Sequence, residues 1–231
     1  MQAAILAGGL GTRLRPLTYE VPKPMVPINN KPYLEYQLEY LKKQGITEIV
    51  LLIGYLGEQI INYFGDGQPF GMNIRYSVED KPMGTGGGLK KAKGVLEEDF
   101  LLIYGDSFLP IDYNDLIKKY KKYQAKAVIC AYDNRVDTDV ISNVEIDETT
   151  CRVLRYVKNV NDAALRYVDA GVLLLNKKVL ECIPENEVVS LEQQIFPRLI
   201  AQQSLYAYVS KERFYDIGTP DRLALAMEVL R

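Results

Sequence analysis

A chain of 231 residues is long enough for one α/β domain with a sizeable core, and its net charge of −2 gives no basic field for nucleic acid or an anionic membrane. It contains no histidine, which removes the Ser-His and Cys-His hydrolases and most zinc enzymes. Cys130, Cys151 and Cys182 are widely spaced and odd in number, so they read as reduced cytoplasmic thiols, and any metal would have to be held by carboxylates, which favours Mg2+.

No signal-peptide pattern opens the chain, and the longest apolar run, around Ile49 to Leu56, is too short for a bilayer, so a cytoplasmic protein is expected. Gln2 to Ala7 reads as a buried strand running into Leu6-Ala7-Gly8-Gly9-Leu10-Gly11-Thr12-Arg13-Leu14-Arg15-Pro16, then Pro22-Lys23-Pro24. Glycines after a strand let backbone N–H groups approach a phosphate without side-chain clashes. Arg13 adds a fork of donors and Lys23 a point charge. Neither common phosphate loop fits: a dinucleotide fingerprint from Gly9 ends on Leu14 instead of glycine, and no Gly-Lys-Ser/Thr follows.

Apolar runs then alternate with helical patterns, which predicts a Rossmann-like, mostly parallel sheet flanked by helices. Pro32 to Gln44 is a helix with Leu34, Leu38 and Leu41 on one face, Pro32 near its start and Gly45 past its end. Glu48 to Ile53 is a strand, Glu58 to Phe64 a short helix and Asn73 to Ser77 a strand. Lys81-Pro82-Met83-Gly84-Thr85-Gly86-Gly87-Gly88 is a second glycine loop leading to a helix from about Leu89 to Val95. It is either a flexible connection or a backbone that passes close to a flat base; four glycines in five positions favour the close approach.

Phe100 to Tyr104 is a strand ending in Gly105-Asp106, where open α/β sheets bind ligands. Tyr113 to Tyr123 is a helix whose Lys118, Lys119, Lys121 and Lys122 form a solvated face, and Ala125 to Tyr132 is a strand. Ile141 to Ile146 and Arg152 to Lys158 alternate polar and apolar residues around Asp147-Glu148-Thr149, which predicts a small antiparallel excursion with one wet face before the sheet resumes at Val168 to Leu175. Lys158 is either a surface lysine or the holder of a second substrate's phosphate. Ser190-Leu191-Glu192 opens a helix to about Ile200 with Ser190 as its cap. Asp216 closes another strand, with Thr219 and Pro220 as cap and first turn of the last helix. Tyr33, Tyr36 and Tyr40 are candidates to face a second copy in a homo-oligomer.

Leu6 to Thr18 with Pro22-Lys23-Pro24-Met25-Val26-Pro27 resembles the signature of sugar-1-phosphate nucleotidylyltransferases, and the resemblance extends over essentially the whole chain. It implies a nucleotide-diphospho-sugar transferase (GT-A-like) fold, an NTP and a sugar 1-phosphate as substrates, and Mg2+ on Asp106 and Asp216. By resemblance, the nucleotide lies on Leu6, Ala7, Gly8, Gly9, Gly11, Thr12 and Arg13 and on Gly84, Thr85, Gly86 and Gly87. Arg13, Lys23, Asp106 and Asp216 are the implied catalytic set, and Lys158, Gly171 and Glu192 the implied sugar-phosphate set. Two positions depart: the family's Glu-x-Lys is Tyr156-Val157-Lys158 here, and its Asn-x-Gly is Asp169-Ala170-Gly171. Many relatives continue into a hexapeptide-repeat β-helix; nothing here repeats at that period, so residues 1–231 are expected to be a single catalytic domain.

The pattern is most similar to heptose 1-phosphate guanylyltransferases of surface polysaccharide synthesis. It is also similar to hexose and N-acetylmuramate 1-phosphate transferases that use UTP or dTTP, but the Gln that such enzymes place before their Pro is missing, which tilts the expectation to GTP. A non-catalytic nucleotide-binding module would have lost Lys23 or a metal carboxylate, and all are present. A glycosyltransferase would want Asp-x-Asp at a strand end; only Asp137-Thr138-Asp139, in a polar loop, has those letters.

Overall fold

Side-chain alternation along the first strand sets the layers. In β1 (Gln2–Ala7), Ala3, Ile5 and Ala7 enter the core on one face of the sheet and Ala4 the core on the other. In this computed structural model, which describes residues 1–135, 140–158, 160 and 162–230, the chain continues through β2 (Pro27–Ile28), β3 (Lys31–Pro32), α1 (Tyr33–Lys43), β4 (Glu48–Ile53), α2 (Gly57–Phe64), β5 (Asn73–Val78), α3 (Gly84–Lys91), β6 (Asp99–Tyr104), β7 (Ser107–Phe108), α4 (Tyr113–Tyr123) and β8 (Ala127–Asp133). Then follow β9 (Val144–Ile146), β10 (Val153–Tyr156), β11 (Tyr167–Asn176), α5 (Phe196–Ala201), β12 (Leu205–Ser210), β13 (Tyr215–Asp216) and α6 (Pro220–Val229).

The main sheet runs β10-β9-β11-β6-β1-β4-β5, with β8 also on β11 and β12 on β8. β6, β1, β4 and β5 are parallel neighbours, so their carboxyl ends meet along one rim. Leu34, Leu38 and Leu41 of α1, Ile60 and Phe64 of α2 and Leu116 of α4 cover one face; Leu89 of α3 and Phe196 and Leu199 of α5 cover the other. Each such side chain taken fully from water contributes about 1.5–3 kcal/mol before entropy is counted.

The expected mixed α/β sheet is present, and three local expectations change. The antiparallel excursion is present within the main sheet: β9 and β10 extend it through β11, which runs antiparallel to β6, β8 and β9. Its strands are shorter than expected, with Ile141 well exposed ahead of β9. The second glycine segment is helical from Gly84, five residues before the expected start. Packing explains it: Gly86 N donates to Val189 O at 2.8 Å, and a Cβ on Gly87 would lie 2.4 Å from Glu187 O. The glycines thus let a helix lie directly on the backbone of residues 187–189, a tertiary gain that outweighs their poor helix propensity. Tyr33 and Tyr36 are buried, and their hydroxyls donate to Tyr215 O and Ile28 O; Tyr40 donates to Ile111 O. Tyr33 is thereby spent wholly inside the chain, whereas Tyr36 and Tyr40 line a surface groove with Glu39, Lys43 and Phe108. Asp137-Thr138-Asp139 lies outside the described residues. Among the described residues, no helix is long and apolar enough to cross a membrane.

Candidate active site

Strand ends build the site. The carboxyl ends of β1, β5 and β6 open on a cleft of about 370 Å3. Gly8 and Gly9 enter it from β1, Glu79 from β5 and Asp106 from β6, and Lys23 and Pro24 reach across from the following loop. Gly84 and Thr85 at the start of α3 form one wall, and Lys158 and Glu192 stand in another.

The first loop is held open from behind. Gly11 adopts φ +61°, and a Cβ there would lie 2.9 Å from Thr18 and 3.2 Å from the Lys23 stem, so its glycine is needed for both conformation and space. Thr18 Oγ1 donates to Gly11 O at 2.8 Å. Gly9, by contrast, has no heavy atom near its missing Cβ: the space beside it is open. Thr12 and Arg13 are exposed on the short turn Thr12–Leu14, outside the cleft proper. Arg13 Nη2 lies 3.5 Å from where a Cβ of Gly218 would be, which puts its guanidinium beside the Asp216 turn.

The Gly105-Asp106 corner is clamped from two sides. Gly105 N donates to Leu6 O at 2.9 Å, and a Cβ on Gly105 would lie 2.6 Å from that oxygen. Gln37, 3% exposed on α1, donates to Tyr104 O and Ser107 O. Lys23 Nζ is hydrogen-bonded and ion-paired to Asp106 Oδ2. Asp216 lies alongside: β13 pairs with β7 so that Asp216 is opposite Ser107, and Ile217 N donates to Asp106 O at 3.1 Å. Both acids act on buried Tyr33, whose phenol is pushed well up by burial and then by the charges of Asp106 and Asp216. Asp216 accepts from Gly218 N at 2.6 Å and pairs with Arg222 at 3.2 Å.

Asp106 and Asp216 are oxygen donors on neighbouring backbone segments, a chemistry that fits Mg2+ bound through one or two carboxylates. Among the described residues no group of three or more acid, cysteine or histidine side chains could hold a metal ion.

The wall opposite the first glycine loop centres on Glu192, whose side chain is only 3% exposed. Thr85 Oγ1 and Ser190 Oγ donate to its Oε2 at 2.8 and 2.6 Å, and Tyr104 Oη donates to Oε1 at 2.8 Å, with Lys158 Nζ 3.4 Å away. Burial works against ionisation of Glu192, but the Lys158 charge and the bonds from Ser190 and Tyr104 outweigh it, so the carboxyl sits below its usual range. Ser190 also caps the following turn through Gln193 N, as expected. Gly171, at φ +74° in a bulge of β11, lies against Ser107. Gly86 and Gly87 are buried against residues 187–189, so of the four expected nucleotide contacts in that segment Gly84 and Thr85 line the cleft, with Pro82 beside them.

Sequence reasoning missed Glu79, Tyr104, Gln37 and Arg222. Glu79 follows β5 as Asp106 follows β6, so the strand-end argument applied to Asp106 also finds Glu79. Gln37 left no such signal, because its partners Tyr104 and Ser107 are brought to it by the approach of a distant strand; Arg222 pairs with an acid only six residues before it, across the turn that opens the last helix.

A nucleotidyl transferase family profile matches residues 2–231. The D-glycero-alpha-D-manno-heptose 1-phosphate guanylyltransferase of Aneurinibacillus thermoaerophilus is 35% identical over 232 residues, covering 100% of this chain and 99% of that protein. Its counterpart in Campylobacter jejuni is 36% identical over 224 residues, covering 96% of each. The crystal structure of HddC from Yersinia pseudotuberculosis complexed with GMP-PN superposes with a TM-score of 0.83 at 31% identity, covering 100% of this chain and 99% of that one.

Proposed function

This chain belongs to the nucleotidyl transferase family, and we propose that it transfers the guanylyl group of GTP to D-glycero-α-D-manno-heptose 1-phosphate, releasing pyrophosphate. Glu79 carries the choice of nucleotide. Glu79 lines the cleft beside Gly84 and Thr85, with its Oε2 accepting from Met83 N at 3.2 Å and its Oε1 packed against Gly88. Guanine presents two adjacent N–H donors on one edge, which a carboxylate can accept together. Uracil and thymine present one N–H between two carbonyls, which a carboxylate repels. The heptose reading is supported by full-length similarity to two guanylyltransferases that carry that substrate in their names.

A sugar phosphate oxygen attacks the α-phosphorus while pyrophosphate leaves from the opposite side. The nucleophile is already an anion near neutral pH, so no general base is required, in keeping with a chain that lacks histidine. The barrier is the meeting of anions, and the residues act by positioning and charge neutralisation. Amides of Gly8, Gly9 and Gly11 and the Arg13 guanidinium hold the β- and γ-phosphates. Lys23 lies between the α-phosphate and the incoming phosphate, and Lys158 steers the latter. Asp106 and Asp216 would hold Mg2+, which supplies charge withdrawal from the phosphoryl oxygens.

Pyrophosphate release with GTP, UTP, dTTP and CTP against heptose, mannose, glucose and N-acetylmuramate 1-phosphates tests the reading. GTP with the heptose phosphate is expected to turn over fastest; preference for UTP over GTP rejects the guanine choice.

A further inference from the structure

The wall that would face the nucleotide and the wall that would face the acceptor are stitched together at one threonine. Val189 N donates to Met83 O, and Gly86 N donates back to Val189 O. Beyond that backbone exchange, Thr85 is bound twice to the 190–192 turn: its Oγ1 accepts from Leu191 N at 2.9 Å and donates to Glu192 Oε2 at 2.8 Å. A hydroxyl has one proton, and this one is given to Glu192, so the Thr85 side chain has no donor left for a nucleotide.

Glu192 is equally committed. A carboxylate offers about four lone-pair sites. Thr85 and Ser190 donate to Oε2, Tyr104 donates to Oε1, and Lys158 is ion-paired to Oε1 at 3.4 Å. Glu192 therefore holds Lys158 and Tyr104, and Thr85 helps to hold Glu192.

We propose that Thr85 is a positioning residue for the acceptor subsite, acting through Glu192 to fix Lys158 and Tyr104 where the sugar 1-phosphate binds. This rests on the substrate reading above. Losing the hydroxyl leaves Leu191 N–H without its acceptor and Glu192 Oε2 with Ser190 alone, so the counter-charge of Lys158 loses one of the bonds that fix its place. The cost falls on the second substrate, although Thr85 stands on the helix of the nucleotide wall.

The test uses the full chain with GTP and D-glycero-α-D-manno-heptose 1-phosphate. Thr85→Val is expected to raise KM for the sugar phosphate about tenfold, or about 1.4 kcal/mol, while the Kd of GTP by calorimetry stays within about twofold. Thr85→Ser is expected to restore the wild-type value. Combined with Glu192→Gln, Thr85→Val is expected to cost no more than the larger single change, as for two residues acting in one chain. Equal weakening of GTP binding, failure of serine to rescue, or strict additivity overturns the proposal. Should the valine variant unfold at the assay temperature, Thr85→Ala carries the same test. An active wild-type enzyme whose variants keep their sugar-phosphate KM sinks the Thr85 role alone; a wild-type protein that releases no pyrophosphate with any sugar 1-phosphate sinks the substrate reading as well.

Discussion

Lys23 and Asp106, 83 residues apart in sequence, are ion-paired at the rim of the cleft, so the lysine assigned to the phosphates and the acid assigned to the metal hold each other in place. Lys23→Ala removes a positive charge from the reacting centre and leaves Asp106 without its partner. Its kcat is expected to fall on the order of 10²–10³-fold, the cost of deleting one charge-stabilising donor, with a smaller change in KM for either substrate. Steady-state kinetics decides; near-normal kcat removes Lys23 from the mechanism.

Glu79→Gln exchanges one acceptor oxygen for a donor where guanine needs two acceptors. kcat/KM for GTP is expected to fall on the order of 10–10²-fold, the cost of leaving one buried polar group unpaired, about 1–3 kcal/mol, and the GTP-to-UTP ratio to fall with it. Burial raises the Glu79 carboxyl above its usual range. Wild-type KM for GTP is therefore expected to rise as pH drops into the weakly acidic range, and the Gln variant to lose that dependence.

The glycines separate into two kinds. Gly87→Ala forces a Cβ to within 2.4 Å of Glu187 O and 2.9 Å of Met83 Cβ, an overpacking that costs about 1–3 kcal/mol. Its Tm is expected to drop several degrees. Gly9→Ala meets no atom and is expected to leave Tm unchanged, yet to raise KM for GTP because its methyl occupies the space a phosphate needs. Thermal melts and GTP titrations of the two variants are expected to give opposite profiles.

Asp169 stands where the resembled family usually has Asn. Burial pushes its carboxyl up to about 6, against the hydrogen bonds from Gly171 N and Tyr156 Oη, while nearby Glu192 raises it and Lys158 lowers it. The folded chain thus holds this proton to higher pH than the unfolded chain, whose Asp titrates near 3.9. Between about pH 4 and 6 the folded state binds more protons, so stability falls as pH rises through that window and the full cost, at most about 3 kcal/mol, is present above it. Asp169→Asn is expected to melt higher than wild type at pH 8, with the difference vanishing near pH 4. A constant difference across that range contradicts the account.

Much of the site was legible because its chemistry is local. The strand-to-glycine loop at Leu6 to Gly11, the acid after Tyr104 and the cap at Thr219 are each short-range consequences of backbone sterics and hydrogen bonding, and the structure places them at strand ends and a helix start as read. Less legible was the segment Gly84 to Gly88. Its composition argues for an irregular loop, and only the backbone of residues 187–189 pressed against it makes a helix of glycines the better solution.

The sequence by itself determined the alternation of strands and helices, the glycine cradle and the two acids, because strand periodicity, turn chemistry and charge act over a few residues. Only the tertiary structure decided which distant groups share a charge or a proton: Lys23 with Asp106, Tyr104 with Glu192, and Thr85 with Glu192. Such partnerships depend on how the sheet order and the crossing helices bring remote segments within hydrogen-bond distance, and nothing in the spacing along the chain encodes that approach.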